Sequence, residues 1–156
     1  MVVMSRPAWE RRRTVVLVRH AKAESGEESS DHDRRLTAAG QRAAAEAGRW
    51  LAARVPAPDQ VWCSSATRAV QTWEAIAPSL RAPPPTVEHD LYLTGARELA
   101  ERLSGVTGSV VVVGHNPTME HLLATLVGEL RGMRPGAVAV VDAGEARLVE
   151  MWEPAR

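Results

Sequence analysis

The chain of 156 residues holds a single cysteine, Cys63, no phenylalanine and a single lysine, Lys22. One cysteine excludes an internal disulfide, and no Cys/His cluster has zinc-ligand spacing. A reducing compartment, the cytoplasm, and a protein without a structural metal are therefore expected. Nineteen basic residues against nineteen acidic ones leave no net charge, so no global field draws the chain to nucleic acid or to an anionic membrane. Long apolar runs are missing as well. A secretion signal needs about 7 to 15 apolar residues and a membrane span about 20, whereas only Val15, Val16, Leu17 and Val18 stand between Thr14 and Arg19. Residues 1–13, with Arg6 and the run Arg11, Arg12, Arg13, read as a loosely ordered, solvated terminus. The length fits one domain, 1–156, with a sizeable core.

What is present is an alternation of short apolar runs and helical periodicities. Residues 15–18 read as a buried strand, and the polar stretch 21–35 as a loop over its end. Thr37 is placed to cap a helix to about residue 54 that buries Ala43, Ala47, Trp50 and Leu51. A second strand at 60–63 leads to a cap at Ser65 and a helix burying Ala66, Ala69, Val70, Trp73, Ile76, Ala77 and Leu80, which Pro78 ends. Pro83, Pro84 and Pro85 stiffen the link to a strand at 86–88. A helix at about 96–103 precedes the strongest strand, 109–113. Asn116 as cap and Pro117 as first helical residue then open a helix with Met119, Leu122, Leu123, Leu126 and Val127 on one stripe. Strands at 137–141 and 147–152 flank a turn at 142–145 and read as a hairpin. The pattern predicts an α/β fold, a three-layer α/β/α sandwich with a mostly parallel central sheet and an antiparallel edge strand.

Three strand ends carry chemistry. Arg19-His20 follows the first strand, Arg68 follows the second through Ser64-Ser65, and His115 follows the fourth through Gly114. In an open α/β sheet, ligands bind in the crevice outside the carboxyl ends of the strands. A neutral imidazole with one nitrogen's proton held by a hydrogen bond is a nucleophile at the other. A planar guanidinium binds a phosphoryl group through two parallel hydrogen bonds and keeps its charge, and Arg68 adds to the anion preference of a helix amino end. Taken together, these residues predict a phosphoryl pocket with His20 as nucleophile and Arg19, Arg68 and His115 as its phosphate-binding groups, His115 donating to the phosphoryl oxygens if it is protonated beside the anion. Asp90 is the preferred proton donor, ahead of Glu88 and the loop acids Glu24, Asp31 and Asp33. His32, His89 and His121 read as structural or solvated, and Cys63 and the five tryptophans as packing.

The segment Leu17-Val18-Arg19-His20-Ala21-Lys22-Ala23-Glu24 resembles the signature of the SixA-type branch of the histidine phosphatase, or phosphoglycerate-mutase-like, superfamily. The likeness continues through Asp33-Arg34-Arg35-Leu36-Thr37-Ala38-Ala39-Gly40, Ser64 to Thr72 and Val113 to Pro117. The resemblance implies that His20 is phosphorylated during turnover and that Arg19, Arg68 and His115 complete the pocket. It implies no metal and no other cofactor. Two departures bear on the substrate. Lys22, Ala23, Glu24 and Ser25 stand where the mutases carry an asparagine, and no glutamate matches the general acid of larger relatives. A phosphohistidine protein is accordingly the expected partner, with a small phosphate ester or a non-catalytic phospho-group binding module as alternatives.

Overall fold

The computed structural model describes residues 13–26 and 30–156. Arg6, Trp9, Arg11 and Arg12 lie outside the described residues. Arg13 departs from the expected solvated terminus. Its guanidinium donates to the Leu103 carbonyl at 3.0 Å and the Val106 carbonyl at 3.1 Å, which ties it to the segment 103–106.

Six strands form one sheet: β1 (Thr14–Arg19), β2 (Gln60–Ser64), β3 (Thr86–Glu88), β4 (Ser109–Gly114), β5 (Val138–Asp142) and β6 (Arg147–Trp152), in the order β3-β2-β4-β1-β5-β6. The first four strands of that order are mutually parallel, β5 runs antiparallel to β1, and β6 runs antiparallel to β5. Side chains on a strand alternate between faces, and here both faces are covered. Val16, Val18, Val111 and Val113 pack with helices α1 (Ala38–Ala52) and α2 (Thr67–Ile76). On the other face, Val15, Leu17, Val110 and Val112 pack with α4 (Ala96–Ser104) and α5 (Thr118–Val127). Between β3 and α4 lies one short helix, α3 (Asp90–Leu93). Each fully buried Val or Leu contributes about 1.5–3 kcal/mol. Two-sided burial is why these strands are continuous apolar runs rather than alternating ones.

Register sets the site. Arg19 pairs with Gly114 and Cys63 with Val113, so β1, β2 and β4 release His20, Ser64-Ser65 and His115 at one level of one sheet end.

Local signals at the helix starts hold in one case and yield to tertiary partners in two. Thr37 Oγ1 accepts from the Gly40 N–H at 3.0 Å, as a cap does. On α1, Ala47 and Leu51 are buried as expected, Trp50 is half-buried, and Ala44 rather than Ala43 completes the stripe. Ser65 does not cap α2; Ala66 occupies that position without a side-chain bond, because Ser65 Oγ is engaged by histidines. Asn116 does not cap α5 either. Pro117 is the cap residue, and the Asn116 amide donates to Glu120 and the Met133 carbonyl instead. The helix α2 does end at Ile76, and residues Ala77–Ser79 form a 3-10 turn through Pro78.

Candidate active site

The strand ends bring four of the five expected residues to one open cleft of about 430 Å³. It is lined by Arg19, His20, Arg68 and His115, with Lys22, Ala23, Asp31, Arg34, Asn116 and Pro135 around them. His20 follows β1 directly. Its Nδ1 lies 2.8 Å from the Ala21 carbonyl, an acceptor only, so Nδ1 carries the proton and Nε2 carries the lone pair. Arg68 Nε donates to that Nε2 at 3.3 Å. Burial first, with help from the Arg68 and Arg19 guanidiniums, pushes the imidazole pKa down to about 4 against the pull of the Ala21 carbonyl. At neutral pH His20 is therefore an uncharged ring with a defined tautomer.

His115 stands beside it, ring centroids 5.3 Å apart. Its Nε2 lies 2.7 Å from Ser64 Oγ. That hydroxyl already accepts from the Ala66 N–H at 3.2 Å, and it can donate its own proton to His115. The ring's N–H is then at Nδ1, a buried atom with no protein partner. Burial, then His20 and Arg68, lower the His115 pKa to about 3. Burial thus favours a neutral His115, whose Nδ1–H is a donor without a charge.

Arg68 is buried at 4 % exposure, which its helical position alone did not suggest. Besides His20 it donates to the Asp31 carbonyl at 2.6 Å and to Asp31 Oδ2 at 3.1 Å. Thr72 Oγ1 links the next turn of α2 to the strand-end loop, accepting from the Ala21 N–H and donating to the Arg68 carbonyl. Arg19 anchors through Nη1 to the Met133 carbonyl at 2.9 Å. Burial lowers its pKa and Glu120 opposes that shift. The buried side-chain atoms without a partner among the described residues are Arg19 Nε, His115 Nδ1 and Asn116 Oδ1, all at this sheet end. Asn116 Oδ1 is an acceptor, but Arg19 Nε and His115 Nδ1–H are two unpaired donors at one place, and they fit an anion.

Asp90 is absent from the cleft lining and exposed. It opens α3, and residues two apart in a helix face nearly opposite ways, so α3 turns Tyr92 inward rather than Asp90. The Tyr92 hydroxyl donates to Asp31 Oδ2, and its ring lies edge-on to His115 at 5.4 Å and near the Arg68 guanidinium at 5.8 Å. Glu88 pairs with Arg102 at 2.9 Å, and Asp33 bonds Ser30. Asp31 lines the cleft, but the Tyr92 hydroxyl first, then Arg68 and Arg34, hold its pKa down at about 2. No carboxyl among the lining residues is kept protonated at neutral pH.

Sequence reasoning missed Tyr92, Ser64 and the neighbourhood of His32 and His89. Those two histidines flank Ser65 Oγ at 2.9 Å and 3.3 Å and stand against the Tyr92 ring. The only signal for Tyr92 is that it is the sole tyrosine. The described residues contain no group of three or more His, Cys, Asp or Glu able to hold a metal ion. None of their helices is long and apolar enough to cross a membrane.

Comparison with known proteins agrees with this geometry. The uncharacterized protein Rv1276c of Mycobacterium tuberculosis is 39% identical over 112 residues, covering 70% of this chain and 69% of its own. The structure of the proposed phosphohistidine phosphatase SixA from Nakamurella multipartitia is 34% identical, with a TM-score of 0.77 over 92% of this chain and 97% of that one. The Agrobacterium tumefaciens counterpart is 30% identical, with a TM-score of 0.83 over 91% and 99%. The family model of the histidine phosphatase superfamily (branch 1) matches residues 15–92, and with strand-end residues arranged as described, this chain belongs to that superfamily.

Proposed function

We propose that the protein is a phosphatase that works through a phosphohistidine on His20 and acts on a phosphohistidine protein. The observation that carries this reading is the state of His20: Nδ1–H on the Ala21 carbonyl, the lone pair on Nε2, and a pKa pushed down to about 4. In the first step the Nε2 lone pair forms a bond to phosphorus while the bond to the leaving group breaks. Arg68 and Arg19 bind the equatorial oxygens, where charge gathers in phosphoryl transfer, and His115 Nδ1–H donates a further hydrogen bond. Water then attacks phosphorus, the Nε2–P bond breaks, and inorganic phosphate leaves with the water proton passed to solvent or to phosphate itself.

The leaving group argues for the substrate. An alkoxide must be protonated as it departs, and a positioned acid contributes about 10²–10⁴-fold to such a step. The lining carboxylate is Asp31, held ionised at about 2. A phosphohistidine needs no such acid, since its second ring nitrogen takes a proton from solvent beforehand and the ring leaves as neutral imidazole. The segment between β3 and β4 holds only α3 and α4, and the cleft is open to a side chain carried on another protein.

Rapid quenching of the enzyme with a radiolabelled phosphohistidine protein is expected to trap an acid-labile, alkali-stable label that His20→Ala abolishes. Binding without label would make the protein a phospho-group binding module. A labelled enzyme that hydrolyses a sugar phosphate faster than the phosphoprotein would make it a small-ester phosphatase.

A further inference from the structure

Among the groups the reaction above leaves unused is a carboxylate close behind the pocket. Glu120 lies in the first turn of α5, and one oxygen, Oε1, accepts twice: from Asn116 Nδ2 at 2.8 Å and from the Met133 backbone N–H at 2.8 Å. The other end of the same residue, the Met133 carbonyl, accepts from Arg19 Nη1 at 2.9 Å and from Asn116 Nδ2 at 2.9 Å. Met133 thus joins Glu120 on one side to Arg19 on the other. Its own side chain is buried at 1 % exposure, which sets where the segment between α5 and β5 sits. Glu120 holds the N–H side of Met133 directly and its carbonyl side through Asn116 Nδ2. Arg19 and Glu120 also line a neighbouring recess of about 440 Å³, so Arg19 stands between two openings.

We propose that Glu120 is a positioning residue for phosphoryl recognition: through Asn116 and the Met133 backbone it holds the Arg19 guanidinium toward His20. The inference rests on the reading of Arg19 as a phosphoryl ligand. Arginine carries large rotamer entropy, and a site that has already immobilised it spends none of the ligand's binding energy on that. The charge of Glu120 is not what the network requires. The requirement is an acceptor at the position of Oε1, since both Glu120 bonds end there.

The test is tungstate affinity by calorimetry, an oxyanion readout independent of the physiological substrate, with kcat/KM measured alongside on any phosphoryl substrate the enzyme turns over. Glu120→Ala removes the acceptor, and Glu120→Asp withdraws it by one methylene while keeping the charge. Both are expected to weaken tungstate binding about tenfold, the scale of one hydrogen bond. Glu120→Gln keeps an oxygen where two donors converge and is expected to stay within about threefold of the wild type. In an Arg19→Ala background, Glu120→Ala is expected to add no further loss, which a general structural weakening would not reproduce. The inference is overturned if folded Ala and Asp variants bind tungstate like the wild type, if Gln is as weak as Ala, or if the losses at Arg19 and Glu120 simply add. Should Glu120→Ala not fold, the Asp and Gln variants decide. A wild type that binds no oxyanion overturns the phosphatase reading itself, an outcome distinct from unaffected Glu120 variants.

Discussion

His20 and His115 are held neutral by burial, and that has a consequence for stability. Their folded pKa values, about 4 and about 3, lie below the ordinary 6.5. The unfolded chain therefore binds more protons than the folded one between 6.5 and those values. Stability is full above pH 6.5 and is lost as pH falls, by about 3 kcal/mol for His20 alone. Thermal melts from about pH 7 to about pH 4 are expected to fall more steeply for the wild type than for His20→Asn; parallel curves would contradict a depressed His20. Asp31 adds a second loss at lower pH, as protonation toward about 2 releases its hold on Arg68. Because Asp31 is held ionised, Asp31→Asn is expected to keep turnover of a phosphohistidine protein within about tenfold. A loss of about 10²-fold or more with tungstate affinity unchanged, and hence Arg68 still in place, would identify it as the acid the proposed chemistry does without. At this scale the sequence exposed the four strand-end residues, because each follows an apolar run directly or within a short turn. It hid their partners: Asp31 meets Arg68 across 37 residues and Tyr92 across 61, distances over which no local pattern reports.

Between elements, two glycines of α1 mark close approaches with different functional weight. A Cβ at Gly48 would stand 2.7 Å from the Ile76 carbonyl oxygen where α1 crosses α2, and one at Gly40 would stand closer still to the Lys22 carbonyl oxygen. Both contacts are with backbone, which cannot swing aside as a flexible side chain does. Each alanine is expected to cost about 1–3 kcal/mol in urea unfolding. The two are expected to part in kinetics. Gly48→Ala leaves kcat/KM of the folded enzyme unchanged, whereas Gly40→Ala displaces the loop that follows His20 and lowers it. Equal kinetics in both variants would detach that loop from the site. The same scale explains the displaced caps. Ser65 and Asn116 have cap chemistry and cap spacing, but each side chain found a tertiary partner, His32 and His89 for Ser65 and Glu120 with Met133 for Asn116. Thr37 Oγ1 also has a tertiary partner, but it donates its proton to the Lys22 carbonyl at 3.3 Å and so keeps a lone pair to cap α1.

For the molecule as a whole, the layers and the mostly parallel sheet were legible because β1 and β4 are buried on both faces and have no polar alternation to confuse them. The position of β5 beside β1 was not, since strand order depends on which edges the helices cover and no local residue encodes that. The site inherits this long-range character. An oxyanion held by Arg19, Arg68 and His115 would cross-link β1, α2 and the turn after β4, segments that come together only in the folded state. A ligand that binds the folded state alone stabilises it by RT ln(1 + [L]/Kd), about 2.7 kcal/mol at a concentration of about 100 Kd. For a chain of this size about 1 kcal/mol moves the melting temperature by roughly 2–4 °C, so tungstate at that concentration is expected to raise it by about 5–11 °C. Arg68→Ala, which removes the buried guanidinium shared by His20 and Asp31, is expected to abolish the rise at the same tungstate concentration. A rise of equal size in that variant would mean that the anion binds elsewhere on the surface, and that the three strand ends do not share it.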